Sequence, residues 1–557
     1  MTNAVEGSER KENKLFNFRP MLFAAIFLIF GILFGYYRII HGVSLWWLLT
    51  LVPIIATPFF FCRNKKALFN RMLALSLLAA IFLLGFLGFR FQMYAYTRCG
   101  YYNGEYTVTG TVASYAESMD GIRLVLTDVS VDGIEEKGKL NAYLLPSNAK
   151  NVRIADVVVI TGKLRTDTEY FSGEWFKASA INDKTRFFLS DATSYQRAGR
   201  SNNVFLRIRD RVEQTVCAGM DKTSASVTLG VLMGDTAKIE SGLLENMRYG
   251  GIAHIFAVSG LHVGALYAFI LLLFSKSALK KLPIAVQFIS LLCLLTFYAG
   301  ICGFSPSIVR AMTLCIVGYG MRRIGGDADG LNILGLAAIL ILLFTPCALF
   351  EVGFQLSFAA CLGIMLFTRR IGQVCDEGEK FFYKIFPRRY TKEEEKILKR
   401  GDTLPLSVGE RIFHTLSSLL SASLAAQIFT APIQYMAFGY LSGWSLLLNF
   451  IFIPFISGVF AILLLLVFVA CLLPLGWSVY LLYLPAMLFN GALLLFEVVD
   501  FSTFALTGMQ LSSESCVCYY GGVIFLTDKW NVSKKQRLML SLTFFAGFAV
   551  ILALLNC

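Results

Sequence analysis

Histidine is nearly missing from this chain: four residues in 557, at positions 41, 254, 262 and 414. A zinc hydrolase built on a His/Asp cluster such as HxHxDH needs several imidazoles close together. Four scattered ones exclude it, and no cofactor is implied. Charged residues are also thin, at 16%, and no fixed-period repeat or low-complexity tract is present. Carboxylates are scarcest where apolar residues are densest: between 252 and 368 only Asp327, Asp329 and Glu351 occur. A proton-coupled carrier normally relies on an intramembrane carboxylate, so the shortage argues against one.

What remains is apolar. Hydrophobic residues make up 56% of the chain and the mean hydropathy is +0.64. Runs of about 17–25 apolar residues are long enough to cross a bilayer. The sequence predicts thirteen, at 21–39, 44–61, 69–89, 252–275, 283–301, 306–321, 331–347, 352–368, 414–436, 443–470, 477–498, 512–527 and 538–556. The runs 306–321 and 512–527 are short, and 443–470 is long enough for a broken or re-entrant helix. The expected fold is a polytopic α-helical membrane protein with one external small β-barrel domain, OB-like in strand number.

The net charge of +13 is an argument about topology before it is one about partners. Residues 1–20, 62–71, 276–281, 322–329, 369–412 and 528–537 together carry +14, leaving the rest at −1. Basic loops mark the cytoplasmic side, and all six stretches share one side if thirteen spans alternate. This predicts a cytoplasmic N-terminus, residues 90–251 outside and an extracytoplasmic C-terminus. Segment 21–39 lacks a small-residue cleavage site and reads as a retained anchor. Most of the thirteen cysteines lie in apolar runs, where a thiol is an ordinary small hydrophobe. Cys99 and Cys217 bracket the external segment and are a candidate disulfide. Cys516 and Cys518 have no clustered ligands and argue against a metal site.

Texture divides the chain into N-terminal helices (1–90), an extracytoplasmic β domain (91–200), amphipathic surface helices (201–250), a transmembrane domain (251–500) and C-terminal helices (501–557). In the β domain, EYTVTGTVAS, GIRLVLTDVS, KLNAYLLP, ADVVVITGKLR and KTRFFLS are β-branched or aromatic runs between turns. Five such strands suit a small barrel or sandwich. A generic single-strand binder has a basic groove with stacking aromatics. Tyr170, Phe171, Trp175 and Phe176 supply rings, but residues 100–197 carry −2. After the domain, NVFLRIRDRVEQTV places Val204, Ile208, Val212 and Val216 at intervals of four. That amphipathic helix suits either the membrane surface or packing against the β domain. Residues 222–249 are too polar to span and read as further surface helix. The mixed-charge loop 369–412 reads as a solvated helix.

Polar residues inside the apolar runs are the candidate functional set. On a continuous helix, Ser259 lies about 140° and His262 about 80° from His254, so all three share a side. Gly251, Gly260 and Gly264 permit close helix approach. Arg310 costs about 2.5–3.5 kcal/mol to insert unless paired or wetted. Gln355, Ser357, Gln427, Thr430, Pro432, Gln434, Asn449 and Pro454 continue the pattern. Polar or broken segments at membrane depth line protein or a water-filled cavity. Two readings stand: an interhelical hydrogen-bond cluster, or the lining of a path whose Arg and His content favours anions.

These residues sit in motifs that resemble the ComEC-type competence protein family. VLMGD (231–235), GIAHIFAVSGLHV (251–263), FYAGICGFSPSIVRAMTL (297–314), FEVGFQLSFAACLGI (350–364), AAQIFTAPIQYMAFG (425–439) and LLLNFIFIPF (446–455) occur in family order. The resemblance covers most of 221–500. It implies a channel in the bacterial cytoplasmic membrane for single-stranded DNA during natural transformation. His254, Ser259, Gly260, His262, Arg310, Gln355, Ser357, Gln427 and Asn449 would line the path or hold it open. It also implies membrane lipids around the chain, an external DNA receptor and a cytoplasmic helicase-like motor. Many members continue into a metallo-β-lactamase-like domain; here the sequence ends at Cys557, so a nuclease is expected on another polypeptide. Two rivals remain: a small-solute or lipid-linked transporter, and an intramembrane hydrolase using Ser259 with His262.

Overall fold

The computed structural model describes residues 19–41, 66–97, 100–118, 121–145, 152–167, 171–172, 175–176, 178–256, 259–276, 278–323, 329–385, 408–527 and 533–556. The predicted span 44–61 lies outside them. Helices α1 (Pro20–His41) and α2 (Lys66–Thr97) pack against each other. Contact is through glycine: a Cβ on Gly31 would collide with the Phe82 carbonyl, and one on Gly85 with the Leu28 carbonyl. Small residues are what allow backbones to approach so closely.

The five β-rich runs all form strands. They lie in β1 (Asn103–Ser118), β2 (Gly121–Val131), β4 (Lys139–Leu144), β5 (Asp156–Thr166) and β8 (Thr185–Arg200), with β3 (Ile134–Glu135) as a short edge. The two-residue strands β6 (Phe171–Ser172) and β7 (Trp175–Phe176) pair separately, and helix α3 (Ala178–Asp183) follows. The six-stranded sheet runs β1-β5-β8-β4-β2-β3, and β1 also pairs with β2. Strand β1 serves both neighbours because register shifts at Thr109/Thr111 and Val112/Ser114 bend it. The β4–β8 pair is parallel. Alternation along β2 and β5 puts Leu124, Leu126, Val158, Ile160 and Leu164 inside, with Phe187 and Leu189.

Helices α4 (Val204–Gly219), α5 (Lys222–Met233), α6 (Ser241–Tyr249), α7 (Ala253–Phe256), α8 (Gly260–Lys276), α9 (Ile284–Ile301), α10 (Pro306–Arg323) and α11 (Gly330–Phe344) come next. They are followed by α12 (Val352–Ile385), α13 (Val408–Phe438), α14 (Ser445–Leu472), α15 (Ser478–Val498), α16 (Ser513–Phe525) and α17 (Lys534–Asn556). Strands β9 (Leu441–Ser442) and β10 (Ala505–Leu506) pair beside α14.

Among the described residues eight helices are long and apolar enough to cross a membrane: α1, α2, α9, α12, α13, α14, α15 and α17. Eight of the thirteen predicted runs thus form such helices, and four others take a different form. Run 252–275 is two helices, and α8 and α11 are short apolar helices. At about 1.5 Å per residue, fifteen-residue α11 falls short of a bilayer core of about 30 Å. Helix α10 carries three arginines and α16 has 13 residues. Run 443–470 is one helix containing Pro454, neither broken nor re-entrant.

Helix α4 packs against the sheet domain, the second of the two readings given for it, and also against α14. Asn203 caps it, accepting from Phe205 N–H at 3.0 Å. Arg211 donates to the Cys471 and Leu473 carbonyls at the end of α14, at 3.1 and 2.7 Å. On the other side Asp210 pairs with Arg200, and the Tyr115 hydroxyl donates to Glu213 at 2.6 Å. Helix α5 overturns the surface reading of 222–233: every residue from Ser224 to Met233 is buried. Its polarity is in small hydroxyls that find partners. Ser224 bonds Asn490 at 2.5 Å, and Ser226 donates to the Thr223 carbonyl at 2.8 Å.

Candidate functional site

The SGLH motif folds as a helix cap. Helix α7 ends at Phe256 and α8 begins at Gly260. Ser259 therefore stands at the N-cap, and its Oγ accepts the Leu261 N–H at 3.3 Å. Its backbone N–H donates to His262 Nδ1 at 3.1 Å, with Oγ 3.2 Å from the same nitrogen. This is the reciprocal logic of a capping box, with imidazole at the third helical position in place of Glu or Gln. The continuous helix of the sequence reading is thus corrected. Capping, not a shared helical face, joins Ser259 to His262, and His254 lies on α7 with its side chain exposed.

His262 is fully buried and meets the Phe460 ring of α14 edge-on, centroids 4.7 Å apart. Because Nδ1 accepts a backbone N–H, the neutral imidazole carries its proton on Nε2. That Nε2 is buried with no hydrogen-bond partner. A serine nucleophile needs a base whose far nitrogen is held by an orienter. Here one imidazole nitrogen is occupied by the cap and the other is unheld.

The glycines divide. Gly251 has φ +74°, a left-handed turn that favours glycine, and a Cβ there would collide with the Ser445 side chain. A Cβ on Gly260 would sit 3.8 Å from Ala311, an ordinary contact, and one on Gly264 would meet nothing within 4 Å. Close approach thus demands glycine at 251 only, which corrects the expectation for 260 and 264.

Around Gly251 lie the motifs of α13 and α14. Gln427 Nε2 donates to Ser445 Oγ at 2.5 Å, and Ser445 Oγ donates to the Ser442 carbonyl at 3.1 Å. Asn449 is buried, and its Oδ1, Ser442 Oγ and Trp444 Nε1 are buried without partners. Asn449 and Phe460, eleven residues apart on α14, lie on one face at 100° per residue. That face joins this group to His262.

A second group surrounds Arg310. Its side chain is buried and, among the described residues, its Nε lacks a partner and its nearest ion-pair carboxylate is Glu351 at 3.9 Å. Glu351 Oε1 accepts Asn182 Nδ2 at 2.7 Å, and Gln92 Nε2 donates to Asn182 Oδ1 at 2.9 Å. Burial raises the Glu351 carboxyl above the usual carboxylate range, against the pull of Asn182 and Arg310. Gln355 donates to the Leu349 carbonyl at 3.1 Å, and Ser357 lies half-buried on α12. The two groups approach where Gly260 faces Ala311, the neighbour of Arg310.

Sequence reasoning missed Gln92, Asn182, Glu351, Ser442 and Trp444. A signal existed for Glu351, one of three carboxylates between 252 and 368. The VLMGD turn also has a structural role: Asp235 accepts Arg209 at 3.3 Å, and Lys238 pairs with Glu213. Cys217 is a free, exposed thiol, and Cys99 lies outside the described residues, as does Tyr170. Among the described residues no three His, Cys, Asp or Glu side chains converge as metal ligands.

The chain is 28% identical over 185 residues to ComE operon protein 3 of Bacillus subtilis (strain 168), covering 33% of this chain and 24% of that protein. It is 24% identical over 238 residues to Uncharacterized protein YcaI of Escherichia coli (strain K12), covering 42% and 27%. The chain thus spans about a quarter of the length of the curated relatives it matches. No solved structure matches. The family model described as Competence protein matches residues 231–532, more than half of the sequence and every motif around the two polar groups. The chain belongs to the competence protein family.

Proposed function

We propose that this protein acts in competence DNA uptake, with its helical domain passing single-stranded DNA across the bacterial cytoplasmic membrane. One observation carries the reading. Within the family-matched region, Arg310 Nε, His262 Nε2, Ser442 Oγ, Trp444 Nε1 and Asn449 Oδ1 are buried without hydrogen-bond partners. Each such group costs about 1–3 kcal/mol. Polar backbone and side chains at membrane depth are tolerated where they border a wetted cavity. A conducting state that brings water or a phosphodiester strand to these atoms repays that cost. Arg310, with its carboxylate no closer than 3.9 Å, suits an anionic cargo.

The sheet domain enters as the external receiving module. Its pairings run from β1 through β5, β8, β4 and β2 back to β1, with one parallel pair. This order supports an OB-type reading, a fold whose surfaces bind oligonucleotides. Its charge of −2 over 100–197 favours contact through stacking and a separate DNA receptor over a basic groove. The basic loops support a cytoplasmic N-terminus and an extracytoplasmic C-terminus. A cytoplasmic helicase-like motor completes the pathway. The family match and the relative named ComE operon protein 3 support this reading over a small-solute transporter.

The test is internalisation of labelled DNA by a deletion strain complemented with the wild-type gene or with Arg310→Ala. The expected result is lower internal DNA with surface-bound DNA unchanged. Equal uptake in the two strains, at equal protein level, would overturn the path assignment.

A further inference from the structure

The Arg310 group reaches outside the family-matched region. Asn182 belongs to α3, a short helix inserted in the sheet domain before β8. Its neighbour Ile181 is buried in a core that includes Phe89, Met93, Leu342, Cys347 and Phe354 of the helical part. Arg186 donates to the Ala95 carbonyl at 3.0 Å, and the Tyr96 hydroxyl donates to the Thr185 carbonyl at 3.1 Å. Helix α3 is thus the foot by which the sheet domain stands on the helices.

From that foot a chain of side chains runs inward. Gln92 accepts the Cys347 N–H at 2.8 Å through Oε1 and donates to Asn182 through Nε2. Asn182 in turn donates to one oxygen of Glu351, whose other oxygen faces Arg310 NH1 at 3.9 Å. Both amides have their orientation set by these contacts: each donates with nitrogen and accepts with oxygen. Glu351 directly precedes α12 and has no other side-chain bond among the described residues. A charge-assisted hydrogen bond to a buried carboxylate is stronger than a neutral one. Where Glu351 points is therefore decided by Asn182, and among the described residues Glu351 is the only carboxylate within 4.0 Å of Arg310.

We infer that Asn182 is a positioning residue for Arg310, acting through Glu351, so that the seating of the sheet domain sets the guanidinium's place in the helical domain. The inference rests on reading Arg310 as a path residue only for its functional consequence; the relay itself is a matter of structure. It assigns the sheet domain a second role beside binding: its docked state is sensed at Arg310.

The experiment is a double-mutant cycle with Asn182→Ala, Arg310→Gln and the pair, in the full-length chain. The first readout is the melting midpoint of the purified protein, followed with a thiol-reactive fluorophore that reports cysteine exposure. Losses that fall short of additive support the relay, because coupled residues share one interaction; strictly additive losses overturn it. The second readout is internalised DNA normalised to membrane protein level. The relay predicts that Asn182→Ala lowers uptake about tenfold, the lower end of the scale of one charged hydrogen bond, and adds nothing in the Arg310→Gln background. Losses that multiply contradict it. If Asn182→Ala accumulates poorly, Asn182→Asp keeps the volume, removes the donor and faces Glu351 with like charge; it must reproduce the loss. Coupled melting with normal uptake in Arg310→Gln would keep the relay and remove the path reading.

Discussion

Ser259 and His262 close on each other across the first turn of α8, the backbone N–H of one held 3.1 Å from Nδ1 of the other. The relationship explains why the motif spaces these residues by three. It also converts a residue pair that resembles a catalytic dyad into a device that starts a helix inside an apolar segment.

The cap account ranks substitutions at 262. Glutamine offers an acceptor at the same helical position, as in the usual capping box. His262→Gln is expected to melt close to wild type. His262→Ala loses the acceptor and leaves a cavity against Phe460, for a loss of about 2–4 kcal/mol. Thermal unfolding of the purified chain checks the order; a Gln variant as unstable as Ala would refute the cap.

Ser259 is expected to behave as a cap and nothing more. Ser259→Ala should cost about 1 kcal/mol, and a serine-directed fluorophosphonate should leave Ser259 unlabelled, as read by peptide mass spectrometry. Stoichiometric labelling would restore the hydrolase reading.

Gly251→Ala meets two obstacles at once, a left-handed φ of +74° and the Ser445 side chain. The expected loss exceeds about 1 kcal/mol from backbone strain alone. Ser445→Gly in the same chain relieves the collision but not the strain, so it should recover part of the loss. Full recovery would mean that the turn places no demand on φ.

The seam between the sheet domain and α4 gives a further contrast. The Tyr115 hydroxyl donates to Glu213, while Lys238 pairs with Glu213 and sits 4.1 Å above the Tyr115 ring centroid. Burial and the Glu213 carboxylate push the Tyr115 phenol well above its usual range, so it stays protonated and donates throughout the working pH. Tyr115→Phe keeps the ring under the ammonium and should cost about 1 kcal/mol. Lys238→Ala strands a buried carboxylate and should cost about 3 kcal/mol or more. Equal melting shifts would contradict this division.

Much of the architecture was legible because periodicity is local. β-branched and aromatic runs between turns marked the five main strands, and the interval of four in Val204, Ile208, Val212 and Val216 marked α4. The non-helical Ser259 ahead of α8 was not legible, because hydropathy does not distinguish a helix from a cap inside an apolar run. Helix α5 was misplaced because Ser and Thr count as polar on a scale, yet satisfy themselves when buried. The Asn182–Glu351 bond joins residues 169 apart, a distance at which no sequence period speaks. His262, Arg310 and Asn449 stand out in the sequence as polar groups in apolar segments and are buried in the structure, but Asn182, which links to Arg310 through Glu351, lies in what reads as another domain.

The path itself is tested most directly on α14. Asn449 is buried with an unpartnered Oδ1, whereas Leu465, sixteen residues on, faces the opposite way and is 62% exposed. A photo-crosslinking amino acid at each position, irradiated while cells take up labelled DNA, should capture the strand at 449 and leave 465 blank. Continued uptake with no strand captured at 449, or equal capture at both positions, would contradict a conduit along the buried face of this helix.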